Sequence, residues 1–137
     1  MKSLLWLALL FCGMTVFAHS ELVSTEPADA SVLSTRPAIV TLTFIEAVEP
    51  SFSSFLIRPL AEADQAEIVN GREAFIAEAL TDASDQFDVQ PSSAAASKTI
   101  ALPLPENLPP GAYAVVWRAL SVDTHTMQDL VTFIYQP

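Results

Sequence analysis

Apolar residues in this chain recur at every second position, in short runs separated by prolines, and that period restricts the chain to strands laid in sheets. The clearest run is Val40-Thr41-Leu42-Thr43-Phe44, where Val, Leu and Phe share one face and the threonines the other, as in a half-buried strand. Similar runs lie around Phe55-Leu56-Ile57, at Thr99-Ile100-Ala101-Leu102, at Tyr113-Ala114-Val115-Val116-Trp117 and at Val131-Thr132-Phe133-Ile134-Tyr135, with a shorter one at Glu21-Leu22-Val23. Pro27, Pro37, Pro50, Pro59, Pro91, Pro103, Pro105, Pro109 and Pro110 fall mostly between the runs, where a residue without an N–H donor costs no ladder bond. The pattern predicts an all-β sandwich or Greek-key barrel. Two stretches fit less well. Residues 72–80 have helix-forming composition and read either as a short helix or as a strand overriding weak propensity; residues 82–97, rich in Ser, Ala and Asp, read as a loop.

The first 18 residues have a separate logic. Lys2 precedes the apolar run Leu4-Leu5-Trp6-Leu7-Ala8-Leu9-Leu10-Phe11, and the segment closes on Val16-Phe17-Ala18, the order of a secretory signal peptide. The apolar stretch is shorter than the roughly 20 residues a spanning helix needs. Residues 1–18 are therefore expected to be a cleaved leader and residues 19–137 one exported domain, without stable membrane insertion and with His19 as its first residue. Phe11 is too bulky for a lipid-modification signal before Cys12. Cys12 is the single cysteine and falls in the leader, so the exported domain must be stabilised by packing and not by a disulfide.

The chain carries six basic residues, Lys2 of the leader among them, against sixteen acidic ones. Nucleic-acid binding is disfavoured, since phosphate contact needs a basic surface. The carboxylates read either as a solvating surface or as a field that concentrates cations.

Beyond the leader there are two histidines, His19 and His125, and neither sits in an apolar run. Export would free the α-amino group of His19, and that amine and the near ring nitrogen can chelate one metal ion together. Divalent copper suits such nitrogen-rich tetragonal sites. Asp123-Thr124-His125 places a carboxylate and an imidazole two residues apart, so that in extended backbone both face the same way, with Cα atoms roughly 6 to 7 Å apart. Each signal has a plainer reading, an accident of cleavage or a residue serving turn geometry, and the spacing does not itself bring residues 19 and 125 together. Tyr113, following Leu108-Pro109-Pro110-Gly111-Ala112, reads as a tyrosine corner whose hydroxyl ties back to nearby backbone, which makes Tyr113 and Trp117 structural.

Taken in order, these segments resemble the periplasmic copper-binding CopC/PcoC proteins across nearly all of residues 19–137. His19 with Leu22 and Ser24-Thr25-Glu26-Pro27-Ala28-Asp29 is similar to that family's opening, and Pro37 to Phe44 with Glu46-Ala47-Val48-Glu49-Pro50 to its Pro-x-x-Val-x-Leu-x-Phe-x-Glu stretch. Leu108 to Arg118 resembles its Leu-x-x-Gly-x-Tyr-x-Val-x-Trp-Arg run, and Ser121-Val122-Asp123-Thr124-His125 its Ser-x-Asp-Gly-His ending, the most specific part.

The resemblance implies a seven-stranded Greek-key β-barrel in the periplasm that holds one Cu(II) per chain through His19, by its amine and imidazole, and through Asp123 and His125. Glu46 matches a glutamate near the family's site, as a weak ligand or a hydrogen-bond acceptor behind the ligands; its plainer reading is a surface charge at a strand end. The implied role is a monomeric copper carrier or buffer, not an enzyme, exchanging the ion with an inner-membrane transporter of CopD-like kind. There are departures: Thr124 stands where the family usually has glycine, Thr126 where proline is common, and Asp129 where glycine is common. Met127 is the single methionine beyond the leader, too few for the soft Cu(I) site some members carry. Two other readings are an oxidative copper monooxygenase, disfavoured by the Asp-x-His ligand that would fill an open coordination position, and a metal-free adhesion or assembly module. No glycine pattern of a nucleophile elbow surrounds any serine.

Overall fold

From Leu22 onward the apolar runs lie in strands of the computed structural model, which describes residues 22–137 apart from 83 and 85. The expected leader and His19 lie outside the described residues. The strands are β1 (Leu22–Glu26), β2 (Ser31–Leu33), β3 (Ile39–Val48), β4 (Ser54–Leu60), β5 (Phe87–Asp88), β6 (Ser97–Pro103), β7 (Gly111–Leu120) and β8 (Thr126–Tyr135). A 3-10 turn, Pro50–Phe52, precedes β4, and a helix, α1 (Glu62–Ala79), follows it. The resemblance implies seven strands and eight are described; six of them carry the apolar runs, while β2 and β5, of three and two residues, are too short to show a period.

One sheet has the order β1-β3-β6 and the other β2-β8-β7-β4-β5. Among the described strands only β2 and β8 pair in parallel. The core between the sheets is built as the alternation requires: Val40, Leu42 and Phe44 of β3 are buried while Thr41 and Thr43 are half-buried. Phe44 meets Trp117 of β7 edge to face at 6.0 Å, and Tyr113 stacks on Phe133 of β8 at 5.4 Å, geometries in which aromatic rings attract beyond simple burial.

β7 does not alternate, and the reason is α1. Tyr113, Val115 and Trp117 face the core between the sheets, whereas Ala114 and Val116 join Leu56, Leu130 and the helix residues Phe75, Ile76 and Ala79 in a second core. A strand covered on both faces reads as a continuous apolar run. The ambiguity over residues 72–80 thus resolves as helix: Phe75, Ile76 and Ala79 are spaced three and four apart, which places them on one side. Upstream, Asp64 accepts the N–H of Ala61 at 2.7 Å and closes the first turn, and Gly71 leaves helical geometry at φ −155°, ψ 49°. Arg72, just after that kink, pairs with Asp129 at 2.8 Å and also donates to the carbonyl of Leu130, fixing α1 to β8.

Two motif segments have structural roles. Asp29 accepts the N–H of Thr132 at 2.7 Å, and the N–H of Ala30 donates to the Thr132 carbonyl at 2.8 Å, which seats β2 beside β8. The Tyr113 hydroxyl donates to the Pro109 carbonyl at 2.6 Å, the expected tyrosine corner.

Candidate metal centre

β7 and β8 are joined by the five residues from Ser121 to His125; the Ser121 N–H meets the His125 carbonyl at 2.9 Å, which leaves Val122-Asp123-Thr124 as the loop of the hairpin. A second bond, from Thr124 N–H to the Ser121 carbonyl at 2.9 Å, folds the loop into a tight turn. Thr124 then adopts φ 71°. This is the three-residue hairpin whose last loop position is left-handed and normally glycine. The glycine common in the resembling proteins at this place therefore has a backbone reason, and Thr124 holds the same conformation at a cost.

The turn brings the expected pair together, though not by extended backbone. Asp123 Oδ2 lies 3.6 Å from His125 Nδ1, and the two side chains are 52% and 50% exposed. The Asp123 carboxylate is held from within. Its Oδ1 accepts the Ser121 hydroxyl and, at 3.2 Å, the His125 N–H. The Ser121 hydroxyl bond is the main cause that holds the carboxyl below its ordinary value of 3.8; slight desolvation opposes it, and the His125 N–H and imidazole add to it. Ser121 itself is 1% exposed, the one buried polar side chain among the described residues.

Glu46 belongs to the neighbouring strand. Val48 of β3 bridges Ser121, with the Glu49 N–H bonded to the Leu120 carbonyl at 2.8 Å and the Val122 N–H to the Ala47 carbonyl at 2.9 Å. Glu46 stands two residues before Val48 on this strand, and its neighbour Ala47 is bonded to Val122, the residue before Asp123. Glu46 is half-buried. β1 runs antiparallel to β3 with Glu26 against Thr41 and Leu22 against Phe44, so the described chain begins two residues from Glu46, at the same end of the sandwich as the hairpin. Among the described residues no three of His, Cys, Asp and Glu converge closely enough to hold a metal ion. The structure brings Asp123 and His125 together; Glu46 stands on the adjoining strand, and His19 lies outside the described residues.

Sequence reasoning quoted Ser121 in a motif without a role. A serine two residues before an aspartate at a strand end was the available signal, since Ser and Asp both fold turns through side-chain hydrogen bonds.

Comparison with known proteins places this geometry in context. A family model described as the CopC domain matches residues 22–136. Protein YobA of Escherichia coli K12 is 29% identical over 119 residues, which cover 87% of this chain and 80% of that protein. The copper transport protein CutJ of Bacillus subtilis 168 is 25% identical over 130 residues, 95% of this chain but 20% of CutJ. Among solved structures, PcoC, a methionine-rich copper resistance protein of Escherichia coli, superposes with a TM-score of 0.59 at 25% identity, over 87% of this chain and all of PcoC. CopC of Methylosinus trichosporium OB3b gives a TM-score of 0.59 at 24% identity over 87% and 95%, a likeness of fold.

Proposed function

Since this chain belongs to the CopC domain family, we propose that it is a periplasmic copper carrier or buffer that binds one Cu(II) without catalysing a reaction. In this reading residues 1–18 are removed on export, and the domain 19–137 begins with a free His19. The His19 amine and imidazole, the Asp123 carboxylate and the His125 imidazole hold the ion, with Glu46 as a weak ligand or as an acceptor behind them. The observation that carries the reading is the 3.6 Å approach of Asp123 to His125 at the end of the sandwich where β1 begins. The nitrogen donors favour copper among divalent first-row ions, and the carboxylate offsets its charge. The acidic surface, net charge −10 for the whole chain, raises the local cation concentration.

Copper resistance and copper transport, the roles named for PcoC and CutJ, agree with such a carrier. The matched segment is 20% of CutJ. In this reading the chain is a monomeric carrier that exchanges the ion with an inner-membrane transporter of CopD-like kind. No described helix is long and apolar enough to cross a membrane. With Met127 as the single methionine after the leader, tight binding is confined to Cu(II).

The deciding experiment is a Cu(II) competition titration on protein beginning at a free His19, beside the same protein with one additional N-terminal residue. Tight one-to-one binding that the extension abolishes or greatly weakens is expected. Weak or equal binding in both removes the amine-anchored site and with it the carrier reading.

A further inference from the structure

The inner face of β7 runs Tyr113, Val115, Trp117, Ala119, all buried and packed into the core between the sheets, and the next residue on that face is Ser121, 1% exposed. A hydroxyl at the end of an apolar row gives up packing, and burying it costs free energy unless it is hydrogen-bonded. Its one proton goes to Oδ1 of Asp123, a charged acceptor; the His125 carbonyl, 3.2 Å from the same hydroxyl, is a neutral one. The His125 N–H reaches Oδ1 as well, at 3.2 Å. Two donors converge on one carboxylate oxygen, which leaves Oδ2 as the oxygen turned toward His125 Nδ1 at 3.6 Å.

We propose that Ser121 is a positioning residue that makes Asp123 a one-oxygen ligand, presenting Oδ2 beside Nδ1 of His125. The inference rests on the copper reading above and specifies its stereochemistry. At the right angle between neighbouring ligands of a tetragonal site, two donors about 2.0 Å from one ion stand about 2.8 Å apart, so the two exposed side chains need close the 3.6 Å gap by less than about 1 Å for one ion to reach both. Binding through both carboxylate oxygens would require Oδ1 to give up two hydrogen bonds. Ser121 also closes the hairpin through its backbone, a contact any residue can make; the hydroxyl is what positions the carboxylate.

The test uses protein with a free His19 and the variants Ser121→Ala, Ser121→Cys, Ser121→Thr and Asp123→Ala. Groups that orient ligands in this way are worth 10- to 100-fold in metal affinity. Ser121→Ala and the near-isosteric Ser121→Cys, a poor donor, are expected to weaken Cu(II) binding by roughly 10- to 100-fold and to shift the electron paramagnetic resonance spectrum of the loaded protein. Ser121→Thr, which keeps the hydroxyl, restores both affinity and spectrum. In the Asp123→Ala background Ser121→Ala changes affinity no further, because the carboxylate it positions is gone. A Ser121→Ala effect of the same size in that background shows a merely structural role and overturns the proposal, as does an unchanged affinity and spectrum in Ser121→Ala and Ser121→Cys while Asp123→Ala loses binding. If the parent protein fails to bind Cu(II), the carrier reading falls and this inference with it.

Discussion

The hydroxyl of Tyr113 donates to the carbonyl of Pro109, four residues upstream, and so pins the turn before β7 to the strand it feeds. Burial raises the phenol pKa and keeps the donor protonated throughout the neutral range. Tyr113→Phe keeps the ring stacked on Phe133 but removes the donor, and is expected to cost about 1 to 2 kcal/mol. Denaturant unfolding measures the loss; Cu(II) affinity at the proposed site, at the opposite end of β7, should stay within about twofold, roughly 0.4 kcal/mol.

Thr124 holds φ 71° in the hairpin that carries Asp123 and His125. A β-branched residue in the left-handed region is disfavoured by roughly 1 to 2 kcal/mol, part of which glycine returns through its freer unfolded chain. Thr124→Gly is therefore expected to stabilise the protein by about 0.5 to 1 kcal/mol. A melting temperature that falls would mean that the threonine side chain contributes more than its backbone conformation costs.

Asp123 supplies a pH signature. Its folded-state pKa lies below the ordinary 3.8, chiefly through the Ser121 hydroxyl, so its stabilising contribution is present above the unfolded value and disappears as pH falls through the folded one. Thermal melts of the parent and Asp123→Asn between pH 2 and pH 6 are expected to differ most above about pH 4 and to converge below it. The effect is small because the group faces solvent. A gap that widens on acidification contradicts the assignment.

Phe75 anchors the second core. It is 2% exposed under α1, and the Arg58 guanidinium lies 5.1 Å from its ring centroid. Phe75→Ala is expected to cost about 3 to 5 kcal/mol. Because this core is separate from the one between the sheets, hydrogen exchange should show residues 62–79 losing protection first, with the hairpin of Asp123 and His125 still protected.

What could be read in the sequence depended on how local the determinant was. Strands β1, β3, β6 and β8 announced themselves through side-chain alternation, and β4 and β7 through short apolar runs bounded by prolines, signals that act over five to ten residues. β2 exists because Asp29 and Ala30 bond to Thr132, a hundred positions away, and nothing near Val32 signals it. Residues 72–80 were ambiguous because the helix begins at Glu62 in a polar stretch, half-buried only at Asp64 and Ile68. At the candidate site, Asp123 and His125 were recognisable as a pair, but their approach comes from the turn with Thr124 in the left-handed region, not from the extended backbone that their spacing suggests. The relation of Glu46 to Asp123 depends on the register between Val48 and Ser121, which only the folded sheet defines.

The hairpin of Asp123 and His125 projects from two interior strands: β7 is flanked by β4 and β8, and β8 by β7 and β2. Neither arm can slide without breaking a ladder on its far side. Were an ion held there as proposed, the backbone that carries both side chains would already be fixed, and the ordering entropy of capture would fall mainly on the donors that join them. The lifetime of the ion would then be governed by the partner that lets go most easily, with the hairpin as the fixed jaw of a clamp whose release is decided on the other side.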